Sequence, residues 1–189
     1  MNIEYVEMLK NGGVGVIPTD TIYGIVCSAF NEKALERIFE IKGRDESKPP
    51  VVVIADIEDL KKFNIDIPEK IFKFINKYWP GKMSVIFPIS SDFAYLDKGK
   101  GLAIRLPADD KLREFLRETG PLATSSANEQ SFPPAKNICE ARNYFGDKVD
   151  FYIDGGELNS LPSTLVKING DEIEVLRQGA VEVETVKSL

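Results

Sequence analysis

The apolar residues of this chain fall in short, β-rich runs that alternate with stretches of helical period, a pattern suited to a sheet with helices packed on it. Val14–Ile17 is a β-branched run between Gly12-Gly13 and Pro18 and reads as a buried strand. Asn31 is a helix cap, followed by Leu35, Ile38, Phe39 and Lys42 at helical spacing. Val51–Ile54, Ser84–Phe87, Leu102–Leu106, Leu122–Thr124 and Val149–Ile153 read as further strands. Helices are expected over Asp56–Phe63, over Pro68–Trp79 with Pro68 in the first turn, from Asp109 to Thr119, and over Lys136–Phe145. Ser163–Ile168 and Glu172–Leu176 flank Asn169-Gly170, which predicts a hairpin with a type I′ turn. Early alternation with an antiparallel end predicts a mixed, twisted α/β sheet, and no repeat or long linker divides it. Residues 1–189 are therefore expected to form a single domain.

Several chemistries are excluded. The chain has no histidine, so a Ser-His-Asp triad and an HExxH zinc site are ruled out. GxxxxGK[ST], GxGxxG and GxSxG are also missing. Cys27 and Cys139 stand far apart with no CxxC, and are expected to be reduced, partly buried thiols. The first residues do not read as a secretion signal, and no apolar run approaches the ~18 residues of a membrane span. A cytoplasmic protein with no membrane partner is expected. The net charge of −6 argues against a general attraction to nucleic acid. Basic residues nonetheless outnumber acidic ones nine to seven over 42–82, whereas acidic ones lead ten to five over 140–189. A polyanion would meet the first half of the chain.

What remains is oxyanion binding by lysine, arginine, hydroxyls and backbone amides. Lys42 and Arg44 follow a helix, and Lys48-Pro49-Pro50 comes just after. They are either cations at a helix C-terminus, favoured there by the dipole, or a phosphate site, and both are expected to face solvent. Thr19, Asp20, Thr21 and Tyr23 form either a polar turn or the mouth of a pocket at a strand's end. Ser125-Ser126-Ala127-Asn128 offers the same choice: a turn, or a loop whose small side chains let a ligand approach the backbone. Arg105 interrupts an apolar strand, so it either reaches solvent on an edge or enters a site. Thr164 fits a strand, and Arg177 by itself reads as a surface residue.

Taken together and in order, these segments resemble the YrdC/Sua5 family, the threonylcarbamoyl-AMP synthases of tRNA modification. The resemblance runs through Pro18-Thr19-Asp20-Thr21-Ile22-Tyr23-Gly24, Lys42-Gly43-Arg44 with Lys48-Pro49, Trp79-Pro80-Gly81, Ile104-Arg105-Leu106-Pro107, Ser126-Ala127-Asn128, Ser163-Thr164 and Arg177-x-Gly179, over roughly residues 10–180. It implies a YrdC-like domain around a concave cleft, without the C-terminal extension of the Sua5 type. It also implies synthesis of L-threonylcarbamoyl-AMP from L-threonine, bicarbonate and ATP with Mg²⁺, releasing pyrophosphate. Partner proteins would then carry the group to adenosine 37 of tRNA. By the same resemblance Lys42, Arg44, Lys48, Ser126, Asn128 and Arg177 are ATP-binding, with Lys42 and Arg44 catalytic. Thr21, Tyr23, Arg105, Thr124 and Ser163 would surround threonine.

The implied chemistry is physically coherent. A threonylcarbamate oxygen attacks the α-phosphate, so two anions must be held together, and positioning with electrostatics supplies catalysis without a protein nucleophile. The chain departs from the family pattern at Val53, where histidine is common, and at Lys167, where an acid is usual. Two alternatives stay open: a non-catalytic module binding double-stranded RNA or tRNA, and a divergent paralogue forming a related carbamoyl-adenylate.

Overall fold

The computed structural model describes residues 3–43, 49–97 and 99–186. In chain order these form α1 (Ile3–Lys10), β1 (Gly15–Ile17), β2 (Gly24–Ser28), α2 (Glu32–Lys42), β3 (Val51–Val53), α3 (Glu69–Ile75), β4 (Met83–Phe87) and α4 (Ala94–Asp97). There follow β5 (Leu102–Arg105), α5 (Asp110–Thr119), β6 (Leu122–Ser126), α6 (Ile138–Phe145), β7 (Phe151–Tyr152), β8 (Thr164–Asn169) and β9 (Glu172–Arg177). The described strands form one sheet in the order β7-β1-β2-β6-β3-β5-β4-β8-β9. It is mixed, as expected: β1–β7, β3–β5 and β4–β8 run parallel and the other neighbours antiparallel.

Local chemistry explains the element ends. The Asn31 side chain accepts a hydrogen bond from the Ala34 amide at 2.9 Å and starts α2, while Asp109 accepts from Leu112 N at 2.8 Å and starts α5. Three expectations are corrected. Ile57–Phe63 is a 3₁₀ helix, opened by a capping box in which Asp59 accepts from the Asp56 amide. Pro68 is the cap of α3 rather than a first-turn residue, and that helix stops at Ile75. The hairpin turn centres on Gly170-Asp171, because Asn169 still pairs with Glu172. Gly170 has φ 63° and Asp171 does not share the left-handed region, which fits a glycine-first type II′ turn. Helix α1 and strand β2 were not anticipated.

The strand period of two divides the sheet's side chains between two layers. One face carries Val52, Val85, Ile104 and Val166 into a core with Leu35, Ile38 and Phe39 of α2, Phe74 of α3 and Phe145 of α6. The opposite face carries Val26, Val53 and Leu122 under Val6 and Leu9 of α1 and Leu112, Phe115 and Leu116 of α5. That second layer covers only part of its face, and the uncovered remainder is the floor of a cavity.

Candidate active site

The cavity has a volume of about 730 Å³. Its floor can be read from the strand register. Thr124 of β6 pairs with Val51 of β3, Val51 with Ala103 of β5, Ala103 with Ile86 of β4, and Ile86 with Lys167 of β8. All five line the cavity. Paired residues share a face, so this row is one continuous line across the sheet. At about 4.8 Å per strand it spans on the order of 19 Å from Thr124 to Lys167.

Hydroxyls crowd the β2–β6 end. Thr19 and Thr21 lie there with their hydroxyl oxygens 3.0 Å apart, and the Thr19 hydroxyl donates to Ile22 O at 2.7 Å. The segment is thus both a polar turn and a cavity wall, so the two readings of it are compatible. Gly24 is required beside it, since a Cβ there would stand 2.5 Å from Thr124 Oγ1. Tyr23 is fully buried. Its hydroxyl donates to Gly156 O and accepts from Gly155 N, both at 2.8 Å, and burial raises its pKa. It therefore shapes the wall, with its hydroxyl committed to residues 155 and 156. At the other end Ser163 lines the cavity, its hydroxyl oxygen 2.8 Å from that of Ser84.

Arg105 lies on β5 within the sheet and enters the site; the alternative of a solvent edge fails. Its guanidinium is paired with Asp20, with side-chain exposures of only 4% and 7%. Burial lowers the Arg105 pKa while Asp20 pulls it back up, and its Nε has no partner. Arg177 also reaches the cavity, through an irregularity. Ile173 and Val175 of β9 pair with Ile168 and Val166, and the register then skips Leu176 so that Arg177 pairs with Leu165. The skip is a β-bulge, which moves Arg177 to the cavity face. There it donates to Ser163 O at 2.9 Å, and loss of water lowers its pKa.

Lys42 requires a correction. It was expected at the solvent, but it is 3% exposed and does not line the cavity. Its ammonium donates to Ser126 O and, at 2.6 Å, to Asn128 O, so it anchors the end of β6 from beneath. Asn128 is likewise outside the lining, its amide donating to Glu129 O and Phe132 O at 2.8 Å each. Ser126 does line it. Arg44 and Lys48 lie outside the described residues. Lys100, between Gly99 and Gly101, belongs to the lining and was missed; the lysines at 98 and 100 alternating with glycines at 99 and 101 were the available signal.

Among the described residues the lining carries four cations, Lys100, Arg105, Lys167 and Arg177, and no carboxylate. In a chain of net charge −6 this is a local reversal suited to an anionic ligand. The thiols take no part. Burial pushes the Cys27 pKa up to about 12, and Cys139 is exposed on α6, contrary to the expectation of partial burial. No described helix is long and apolar enough to cross a membrane.

Comparisons with known proteins bear on this geometry. The Sua5/YciO/YrdC family model, described as "Telomere recombination", matches residues 7–179. A putative threonylcarbamoyl-AMP synthase of Mycobacterium tuberculosis is 32% identical over 97% of the chain and 86% of the relative. The threonylcarbamoyl-AMP synthase of Bacillus subtilis is 30% identical over 96% of the chain, which spans 54% of that relative. Among solved structures, Sua5 of Pyrococcus abyssi complexed with L-threonine superposes with a TM-score of 0.87 at 29% identity, covering 93% of this chain and 53% of that one. Escherichia coli YciO gives 0.85 at 25% identity, over 96% and 90%.

Proposed function

Because the chain belongs to the Sua5/YciO/YrdC family, we propose that it is a nucleotidyltransferase making L-threonylcarbamoyl-AMP from L-threonine, bicarbonate and ATP. The observation that carries this reading is the convergence of hydroxyls and cations from five separate segments on one cavity of nucleotide-compatible size. Relatives aligned along nearly the whole chain bear the synthase name, and one solved relative binds L-threonine.

In the proposed reaction the threonine amine adds to bicarbonate with loss of water, giving a carbamate. A carbamate oxygen then attacks the α-phosphorus, the bond to the β-phosphate breaks, and pyrophosphate leaves. Thr21, Thr124, Ser163 and Arg105 would orient the amino acid, while Ser126 and Arg177 would hold the nucleotide. Fixed donors around two anions lower their mutual repulsion and require no reorganisation at the moment of reaction. Among the described residues no group of three acidic or thiol side chains forms a metal cage. Mg²⁺ would arrive on the phosphates of ATP, where it offsets charge. Transfer of the group to tRNA adenosine 37 would fall to partner proteins.

The test is pyrophosphate release by purified protein given ATP, bicarbonate and Mg²⁺, with and without L-threonine. Release that requires threonine is expected; equal release without it, or none, overturns the reading. Binding of double-stranded RNA that ignores ATP and weakens steeply with salt, in a protein without turnover, would favour a non-catalytic role instead.

A further inference from the structure

Lys167 is a mid-strand cation in an unusual setting. Its neighbour Val166 is fully buried in the core beneath the sheet, so alternation turns Lys167 to the cavity face. Across β4 it stands opposite apolar Ile86, and along its own strand beside Leu165, both of which line the cavity. Across β9 it faces Glu174, yet the two form no ion pair, and among the described residues the Lys167 ammonium makes no hydrogen bond or ion pair. A half-buried ammonium on an apolar wall loses hydration without gaining a partner, which is costly unless something else supplies the counter-charge. Lys100 belongs to the same end of the cavity, since the adjoining Gly101 packs against Ile86.

We propose that Lys167 is a specificity-determining residue, and that the β4–β8 end of the cavity recognises an oxyanion group, carboxylate or phosphate, of the bound substrate. This rests on the proposed adenylate-forming reaction but adds to it a second anion point, far along the floor from Thr124. Two sources carry that chemistry: the phosphate chain of the nucleotide, or a carboxylate of the amino acid, including the side chain of an acidic one. A lysine reaching from β8 serves either as a point charge with three donors.

Equilibrium binding separates the sources without needing turnover. Wild type, Lys167→Met and Lys167→Arg are each titrated by calorimetry with ATP, pyrophosphate, L-threonine and L-aspartate. Folding of each variant is checked by circular dichroism and thermal melting. The proposal expects Lys167→Met to weaken at least one of these ligands about tenfold, Lys167→Arg to restore most of the loss, and the wild-type affinity for that ligand to fall with salt. Loss confined to ATP and pyrophosphate assigns the phosphate source, and loss confined to the amino acids assigns the carboxylate source. A Lys167→Met protein that folds and binds all four ligands as wild type overturns the proposal. That outcome is distinct from absent threonine-dependent pyrophosphate release in wild type, which would overturn the reaction itself.

Discussion

Two halves of one sheet face behave as different materials. Along β3, Val51 and Val53 point the same way, but Val53 is fully buried beneath α1 and α5 whereas Val51 forms cavity floor. Along β6 the same step separates buried Leu122 from Thr124. The strands are continuous, and the helices above cover one half and leave the other bare. A binding surface here needs no dedicated domain, only a helical layer shorter than the sheet it covers. Arg105 stands on the boundary, where Asp20 supplies the countercharge that neither apolar half provides.

The comparison is broken most severely at that boundary. Asp20→Ala leaves the Arg105 guanidinium buried and unpaired, and a loss of about 3–5 kcal/mol in unfolding free energy is expected by urea denaturation. The double substitution Asp20→Ala with Arg105→Met should recover much of it, because the penalty lies in the unpaired charge; equal instability of single and double variants would refute this. Next comes the anchor beneath the open half. Lys42→Met takes the ammonium from the carbonyls of Ser126 and Asn128 and leaves Ser126 O only the Asn128 amide, so about 2–3 kcal/mol should be lost. Pyrophosphate release should fall with it, because Ser126 is no longer held. Full stability and turnover would show that the loop stands without Lys42. The finest contrast lies within β3. Val53→Ala should cost about 2 kcal/mol and Val51→Ala less than about 1 kcal/mol, because only the first removes packing under a helix. Matching melting curves for the two would show that the covered and open halves are not distinct.

The fold was largely legible where local chemistry decides it. The caps at Asn31 and Asp109 and the β-branched run at Val51 need only their neighbours in sequence. Strand β2 was missed because it follows the polar turn Thr19–Ile22 without a breaker, and its Cys27 and Ser28 carry little strand signal. Helix α1 was missed because its buried residues are only Val6 and Leu9. In the site, Arg105 could be singled out as an interrupted strand, but its partner lies 85 residues away and no spacing rule joins them. Lys42 shows the same limit more sharply. Identity marks it as a cation at a helix end, and only the loop packed against it turns it from a solvent-facing group into a buried anchor.

The β-bulge at Leu176 gives the outer hairpin an arithmetic of its own. Exposed hairpins ordinarily tolerate gain or loss of a residue. Here the bulge between Val175 and Arg177 decides which side of the sheet the guanidinium occupies. Pairing Leu176 regularly with Leu165 would keep every functional residue type and still turn Arg177 to the face of Val175, whereas deleting Leu176 would remove the bulge and leave Arg177 opposite Leu165 on the cavity face. Register within this hairpin is therefore itself a functional variable: a relative with a one-residue gap at Leu176 can keep the arginine in the cavity without a bulge, whereas a hairpin of full length in regular pairing would lose it with every residue retained.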